Sequence, residues 1–262
     1  MWTAVQEPIV LREGNFFLAA EHEECWSRLL YVVEQKCRLA VLFGGAEVGK
    51  SSLLRAVASH VVRRDRLQWF SLDVSGLTFE EFAIQLCDFS DGGSSDRSPW
   101  QALEDWLWGS AASGQRSLWT IDHVDQALDE LSLAIRRLAR LIEHTRAPAS
   151  LVVCTRAWSD VSTLSDLVDL SCELPPWSLE STSAWLNRPL ESGKRPLPFS
   201  RDAVQAAYDC TQGVAGRVQR LQQLCRLAAE LRDSEEVDIG LVLEVWGELM
   251  SPLSQESRSN GR

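Results

Sequence analysis

The stretch at residues 44–51 constrains this chain more than any other, because its sequence is Gly-Gly-Ala-Glu-Val-Gly-Lys-Ser. It fits the spacing G-x-x-x-x-G-K-[ST] and lies between an apolar run at residues 38–43 and a segment with helical apolar spacing at residues 51–63. Glycines allow the backbone to wrap around a phosphate, so that its N–H groups point at the anion. The sequence therefore predicts a phosphate-binding loop between a buried strand and a helix.

The side chains of this loop have the chemistry that a nucleoside triphosphate with Mg²⁺ requires. Lys50 is predicted to reach the β- and γ-phosphates, and the Ser51 hydroxyl is predicted to ligate the metal. A metal-binding carboxylate is expected at the end of a neighbouring strand, where Asp122 stands, although a helix-capping aspartate is the alternative for that residue. The predicted cofactors are ATP and Mg²⁺. The predicted nucleotide-contacting residues are Gly44, Gly45, Ala46, Glu47, Val48, Gly49, Lys50, Ser51 and Ser52.

Strand and helix patterns alternate through the N-terminal part of the chain. Short apolar runs predict strands at residues 38–43, 67–74, 117–121, 150–155 and 170–174, and a first helix is expected at 19–34. Such alternation implies a parallel sheet covered on both faces. After Pro175-Pro176, only helical patterns follow. The predicted fold class is α/β, a P-loop NTPase core with a central parallel five-stranded sheet, followed by a small all-helical lid domain.

The double proline is the natural boundary between these two parts, because contacts across a domain boundary are few and proline is common there. The predicted organisation is an N-terminal arm at residues 1–16, the α/β core at 17–176, the helical lid at 177–250 and a disordered tail at 251–262. A polar loop is expected at residues 90–98, and the helix after Asp122 is expected to run unbroken to about residue 145.

Composition excludes several other classes. The net charge of −11 argues against non-specific affinity for nucleic acid or anionic membrane, and Arg136, Arg137 and Arg140 are spread over more than one helical face. No run of apolar residues is long enough to span a membrane. The seven cysteines are scattered without a CxxC pair, and the four histidines lack metal-ligand spacing. We therefore expect a cytoplasmic protein with buried free thiols and no strong nucleic-acid signal.

Three segments resemble the AAA+ superfamily, and more narrowly the ExeA/GspA-type secretion ATPases and the TnsC/TniB-type transposition regulators. They are residues 17–29 ahead of the first strand, the phosphate loop with Ser-Ser-Leu-Leu-Arg at 51–55, and the tail with residues 199–204 and 211–221. The resemblance implies that the first segment packs near the nucleotide base. It also implies that the helical tail is a lid that brings a sensor arginine to the phosphates. The lid segment has Gly216 where that arginine would fall, and Arg217 follows it.

The active-site positions that this resemblance implies are only partly present. The family has a glutamate after the metal-binding aspartate, which activates the attacking water, whereas this chain has His123. Asp125 is a candidate substitute, and an uncompensated loss of the base would slow hydrolysis by ~10²–10⁴-fold. No arginine lies between Arg156 and Arg188, so the usual arginine finger is missing or comes from another protein. Thr155 is expected at the position that contacts the γ-phosphate or orients water, with a local hydrogen bond as the alternative.

The function predicted on this basis is an ATP-binding AAA+-type ATPase, slow in turnover, which couples nucleotide state to the assembly or conformation of a partner. The partner class that the resemblance implies is secretion, pilus or mobile-element machinery, and self-association is a further expectation. One alternative is a non-hydrolysing nucleotide-dependent adaptor. Another is a STAND-like switch, because residues 151–156 resemble the strand whose arginine reads the γ-phosphate in those proteins. A small-molecule kinase is the weakest alternative, since the tail lacks an arginine-rich substrate lid.

Overall fold

The computed structural model describes residues 10–11, 16–65, 67–88, 98–127, 131–188 and 197–251. Most of the predicted N-terminal arm, of the polar loop expected at residues 90–98 and of the tail expected at 251–262 lies outside the described residues. The description begins with a short antiparallel pair, β1 (Val10–Leu11) and β2 (Phe16–Phe17).

Five strands form the predicted parallel sheet, in the order β4-β5-β6-β3-β7. They are β3 (Leu39–Phe43), β4 (Gln68–Asp73), β5 (Ser117–Asp122), β6 (Ala149–Thr155) and β7 (Leu170–Glu173). All neighbouring pairs are parallel, so the strands end at one common edge. The strand that precedes the phosphate loop, β3, lies inside the sheet between β6 and β7. The loop therefore opens at the carboxyl edge, in the interior of the sheet rather than at its side.

Helices cover both faces of the sheet, as apolar parallel strands require. The first face packs against α1 (Glu23–Gln35) and α2 (Lys50–Asp65), and the second against α3 (Phe79–Asp88), α4 (Pro99–Ser113) and α5 (Leu131–Thr145). Ala40 and Leu42 of β3 belong to the first core, whereas Leu39 and Val41 belong to the second. Successive side chains of an extended strand point to opposite faces, so one strand serves both cores.

The part of the chain that follows β7 is helical, as predicted. It consists of α6 (Leu179–Leu186), α7 (Arg201–Thr211), α8 (Ala215–Leu231) and α9 (Ile239–Met250), which pack around a separate core of buried residues. The side chains of Ser178, Ser200 and Asp238 accept hydrogen bonds from the first turns of α6, α7 and α9 and so cap these helices. Within the ranges described above, no helix is long and apolar enough to cross a membrane.

An extended segment ahead of α1 joins the helical part to the α/β part. Phe16 and Leu18 pack in the core formed by α1, α2 and the sheet, whereas Phe17 and Ala19 pack in the core of the helical domain. The Phe17 ring lies edge-on to Trp177, with a centroid distance of 5.3 Å. Because alternate residues of this segment enter alternate cores, it forms a seam between the two parts of the molecule.

Two predicted helices differ in detail from the structure. The first one begins as a 3₁₀ helix at Ala20–His22 before α1, because the side chains of this turn contact the segment that follows β7. The helix expected directly after Asp122 is interrupted, because His123 adopts the left-handed conformation with φ 62°. A 3₁₀ helix at Val124–Gln126 follows, and α5 begins at Leu131. A further 3₁₀ helix, Trp158–Leu164, was not predicted.

Candidate functional site

The phosphate loop between β3 and α2 has the backbone that its sequence predicts. Gly49 and Glu47 have positive φ angles of 110° and 60°, and α2 begins at Lys50 immediately afterwards. A side chain at Gly44 would place its Cβ only 2.5 Å from the carbonyl oxygen of Leu174, so the loop can start here only with glycine. Val48 is buried in the core beneath the loop and anchors it. The loop is therefore fixed at its start and its middle, with the first turn of α2 at its end.

Lys50 lies inside this loop rather than in solvent. Its Nζ donates hydrogen bonds to the carbonyl oxygens of Gly44 and Gly45, at 2.7 and 2.8 Å. Burial lowers the pKa of Lys50, while Cys154, Asp125 and Asp122 act in the opposite direction. These partners come from the ends of β5 and β6, so the lysine faces the sheet edge where a carboxylate is required.

Asp122 stands at the end of β5, but its strand does not adjoin the strand of the phosphate loop. The prediction of a directly neighbouring strand was wrong in this respect, because β6 lies between β5 and β3. Cys154 of β6 is fully buried in this gap, and burial followed by the charge of Asp122 raises its pKa well above the ordinary value. Because β5, β6 and β3 are parallel, Asp122 and the phosphate loop nevertheless lie at the same edge of the sheet.

His123 turns away from the phosphate loop. Its Nδ1 lies 3.1 Å from Oδ1 of Asp73, at the end of the outer strand β4, and 4.0 Å from Asp122. The two atoms are within ion-pair distance, but they are not aligned for a hydrogen bond. Because β4 is separated from β3 by two strands, this ring orientation points away from the position where a triphosphate would lie.

Asp125 turns the other way, towards the strand that adjoins the loop strand. Its Oδ2 is 2.9 Å from Nε of Arg156, the residue that follows β6, and its side chain is only 10% exposed. Thr155 is completely buried, and its hydroxyl donates a 2.6 Å hydrogen bond to Asp160. The local hydrogen bond considered for Thr155 is therefore present, and the partner that makes it belongs to the 3₁₀ helix that the sequence did not reveal.

The helical domain contacts the phosphate loop directly. The N–H of Gly216, in the first turn of α8, donates a 2.9 Å hydrogen bond to the carbonyl oxygen of Glu47. Arg220, one turn further, lies 3.4 Å from the Glu47 carboxylate. Arg217, predicted as a sensor arginine, is exposed between them. Gly216 thus allows a close approach of the two parts, since a Cβ there would lie 2.9 Å from Glu47 Cβ.

Glu21 and His22, just before α1, contact the segment that follows β7, and sequence reasoning did not single them out. Glu21 accepts hydrogen bonds from Ser178 N–H and Ser181 hydroxyl at the start of α6, and these bonds lower its pKa although burial acts to raise it. His22 is buried, and its Nε2 donates to the carbonyl oxygen of Pro175 at 3.0 Å. Burial lowers the pKa of His22. The sequence gives no indication that Glu21 and His22 make these contacts, because their partners lie more than 150 residues away.

The donor set of the site suits Mg²⁺ with nucleotide rather than a metal held by protein alone. Ser51 and Asp122 offer a hydroxyl and a carboxylate, and hard oxygen ligands of this kind are those Mg²⁺ prefers. Within the described residues there is no group of three or more His, Cys, Asp or Glu that could hold a metal ion. Mg²⁺ commonly keeps few protein ligands and completes its shell with phosphates and water, so the residues present fit this metal.

Comparison with solved structures gives the fold class of the chain. Similar structures include Drosophila ORC bound to DNA (TM-score 0.70, 14% identity, 94% of this chain and 65% of that one). They also include the Aeropyrum pernix ORC1 protein in complex with DNA (TM-score 0.68, 19% identity, 88% and 66%) and an E. coli HORMA:CdnC:Trip13 complex (TM-score 0.61, 17% identity, 90% of both chains). The chain thus has the fold of the AAA+ ATPases, a P-loop core followed by a helical domain.

Sequence comparison gives no further assignment, because no protein-family model and no curated relative matches the chain. The chain spans just under two thirds of the ORC chains that it resembles. None of the three similar structures is a secretion ATPase or a transposition regulator, so the narrower resemblance stays a prediction. Two of them are complexes with DNA.

Proposed function

We propose that this chain binds Mg²⁺-ATP at residues 44–52 and uses the bound nucleotide to set the position of its helical domain, with slow hydrolysis. One observation carries the proposal: the first turn of α8 is hydrogen-bonded to the phosphate loop itself, through Gly216 N–H and the Glu47 carbonyl. A change in the loop when phosphates bind therefore acts directly on the start of a seventeen-residue helix. Order and position of a segment set by the γ-phosphate are the usual basis of nucleotide switches.

In this proposal the residues of the loop divide the work by chemistry. The backbone N–H groups of residues 45–50 and the first turn of α2 surround the phosphates, where the positive end of the helix dipole favours an anion. Lys50 exchanges its contacts with Gly44 and Gly45 for the β- and γ-phosphates. Ser51 and Asp122 hold Mg²⁺, which when bound neutralises charge on the phosphates. Arg217 at the exposed start of α8 stays a candidate for contact with the nucleotide.

Slow hydrolysis follows from the position that the AAA+ resemblance gives to the catalytic glutamate. His123 occupies that position, and its ring faces Asp73 on the outer strand. The chain has no arginine between Arg156 and Arg188, so the usual arginine finger is missing from that segment. The same observations favour the second candidate, an adaptor that binds ATP without hydrolysing it and works through its ATP-bound conformation.

Turnover measured beside nucleotide binding distinguishes the two candidates. The purified chain would be compared with Lys50→Ala, which loses phosphate contacts, and Asp122→Asn, which loses the charge that holds Mg²⁺. The proposal expects Mg²⁺-ATP to protect the amides of α8 from hydrogen exchange in the wild type and not in Lys50→Ala, with phosphate release above that of the variant. Protection without such release would establish the adaptor. Equal exchange with and without ATP would contradict coupling between loop and helical domain.

DNA is the first macromolecular partner to test, because two of the similar structures contain it. The net charge of −11 opposes broad electrostatic binding. Arg136 is held by Asp166 at 2.9 Å, and Arg137 lies over the Trp100 ring. Fluorescence anisotropy of a labelled duplex, measured with and without Mg²⁺-ATP, tests whether the chain binds DNA. The other partners that the AAA+ resemblance implies are a different protein or a second copy of this chain.

A further inference from the structure

Two side chains that follow β5 leave the sheet edge in opposite directions, and only one of them faces the phosphate loop. The left-handed backbone at His123 sends its ring to Asp73 on β4, which two strands separate from β3. The next turn places Asp125 beside Arg156 at the end of β6, which adjoins β3. Asp125 is also one of the groups whose charge acts on Lys50. Of these two residues, Asp125 is therefore the one positioned towards bound phosphates.

Arg156 lies beside the start of the phosphate loop, at the same level along the sheet. Thr155 is the register partner of Phe43, and the residues that follow the two are Arg156 and Gly44. Its guanidinium side chain is 54% exposed, whereas that of Asp125 is 10% exposed. The arginine is thus the outer and more movable partner of the ion pair. A phosphate group offers several anionic oxygens to a guanidinium, against the single oxygen of Asp125 that now lies within 3 Å.

We propose that Asp125, and not His123, accepts the proton of the attacking water, and that its ion pair with Arg156 restrains it until a γ-phosphate is bound. This inference rests on the proposed function. The water oxygen forms a bond to the γ-phosphorus while the bond to the bridging oxygen breaks, and ADP leaves with that electron pair. The water proton passes to the Asp125 carboxylate and from there to solvent. Arg156 moves from Asp125 to the γ-phosphate and frees the carboxylate for this role.

The first test compares steady-state phosphate release by Asp125→Asn, His123→Gln and Asp73→Asn, with Mg²⁺-ATP affinity measured for each. Asp73→Asn is the matched control, since it makes the same chemical change at the same sheet edge, outside the proposed path. Asp125→Asn is expected to lose about 100-fold or more in turnover while keeping its ATP affinity, because a general base supplies ~10²–10⁴-fold. The other two variants should retain most of the wild-type rate. Loss in His123→Gln with retention in Asp125→Asn would overturn the inference.

The second test measures Mg²⁺-ATP and Mg²⁺-ADP affinity for Arg156→Gln by calorimetry, and it does not depend on turnover. If Arg156 moves to the γ-phosphate, the preference for ATP over ADP should fall by about tenfold, the effect of one charge-assisted contact. Equal changes in affinity for ATP and ADP would show that Arg156 only holds Asp125 in place. That result would overturn the proposed movement of Arg156 to the γ-phosphate. Melting temperatures of all variants exclude unfolding as the cause.

The outcomes separate this inference from the function on which it rests. Failure of the wild type to bind ATP would remove both. Binding that Lys50→Ala abolishes, with phosphate release no higher than in that variant, would leave the nucleotide switch standing and overturn the assignment of Asp125 as a base.

Discussion

Gly216→Ala should weaken nucleotide binding although it replaces no residue of the phosphate loop. The helical domain meets the loop at this glycine, where the N–H donates to the Glu47 carbonyl at 2.9 Å. An added Cβ would lie 2.9 Å from Glu47 Cβ and 3.3 Å from that carbonyl oxygen. Carbon atoms closer than about 3.5 Å repel, so loop and helix would have to separate by roughly half an ångström. The perturbation acts on the contact between the two parts and on little else.

The magnitude follows from the hydrogen bond that this separation stretches. A donor–acceptor distance of 2.9 Å would grow to about 3.4 Å, beyond the usual range for N–H···O. Such a bond contributes about 0.5–1.5 kcal/mol net, which corresponds to a change of roughly 2–10-fold in an equilibrium constant. We expect Mg²⁺-ATP affinity to fall by that factor. The free energy of unfolding should not fall with it, because alanine is more favourable than glycine in a helix by about 1 kcal/mol.

Isothermal titration of Mg²⁺-ATP tests this expectation, and two further variants make it sharp. Gly247→Ala in α9 is the matched control, since a Cβ there meets nothing within 4 Å and the affinity should stay as in the wild type. Glu47→Gly combined with Gly216→Ala removes the opposing Cβ at a position with φ 60°, which glycine tolerates, and should restore affinity. Unchanged affinity in Gly216→Ala would mean that the two parts are not coupled at this contact.

Three other predictions concern the same site. His123→Glu should raise phosphate release by about tenfold or more, because the new carboxylate is repelled by Asp73 and turns towards the nucleotide; a rate at or below that of the wild type contradicts this. Gly213→Ala should lower the melting temperature by several degrees, because Gly213 has φ 66° and an added Cβ would lie 2.0 Å from the Trp177 carbonyl oxygen. A melting curve like that of the wild type would show that this turn can adjust to a side chain. Burial lowers the pKa of His22 below 6.5, so the unfolded chain binds a proton more readily than the folded chain, and the stability that the neutral ring contributes is lost as the pH falls below 6.5. Between pH 7.5 and 5.5, the urea midpoint of His22→Gln should therefore change less than that of the wild type. Parallel curves for the two proteins would exclude His22 as a source of pH-dependent stability.

The strands and helices were predictable because each has its own local signal. β3 is an uninterrupted apolar run that ends at glycine, and α7 and α9 begin at a Ser or Asp cap. The strand bounds differ by at most one residue between prediction and structure, whereas α1 begins four residues later than the helix predicted at 19–34. The strand order was not predictable, since it depends on pairing between segments more than 100 residues apart, such as Leu42 with Cys154.

The phosphate loop was predictable from its motif, whereas the residues around it were not. Left-handed backbone at His123 has no signature in a single sequence, yet it decides that His123 faces Asp73 and Asp125 faces Arg156. The sequence placed both residues among the catalytic candidates and could not choose between them. Asp160, the partner of Thr155, lies in a short 3₁₀ helix without a periodic pattern and escaped notice for that reason.

Equilibrium binding of Mg²⁺-ATP to the purified chain, measured by isothermal titration calorimetry beside Lys50→Ala, shows whether the phosphate loop holds a nucleotide. Lys50 lies within the loop and contacts two of its carbonyl oxygens, so its loss removes a charge from the phosphate site and leaves the five-stranded sheet intact. We expect saturable binding by the wild type at a stoichiometry of about one, and a loss of tenfold or more in affinity for the variant. No heat of binding in the wild type, or equal affinity in the two proteins, would contradict this expectation.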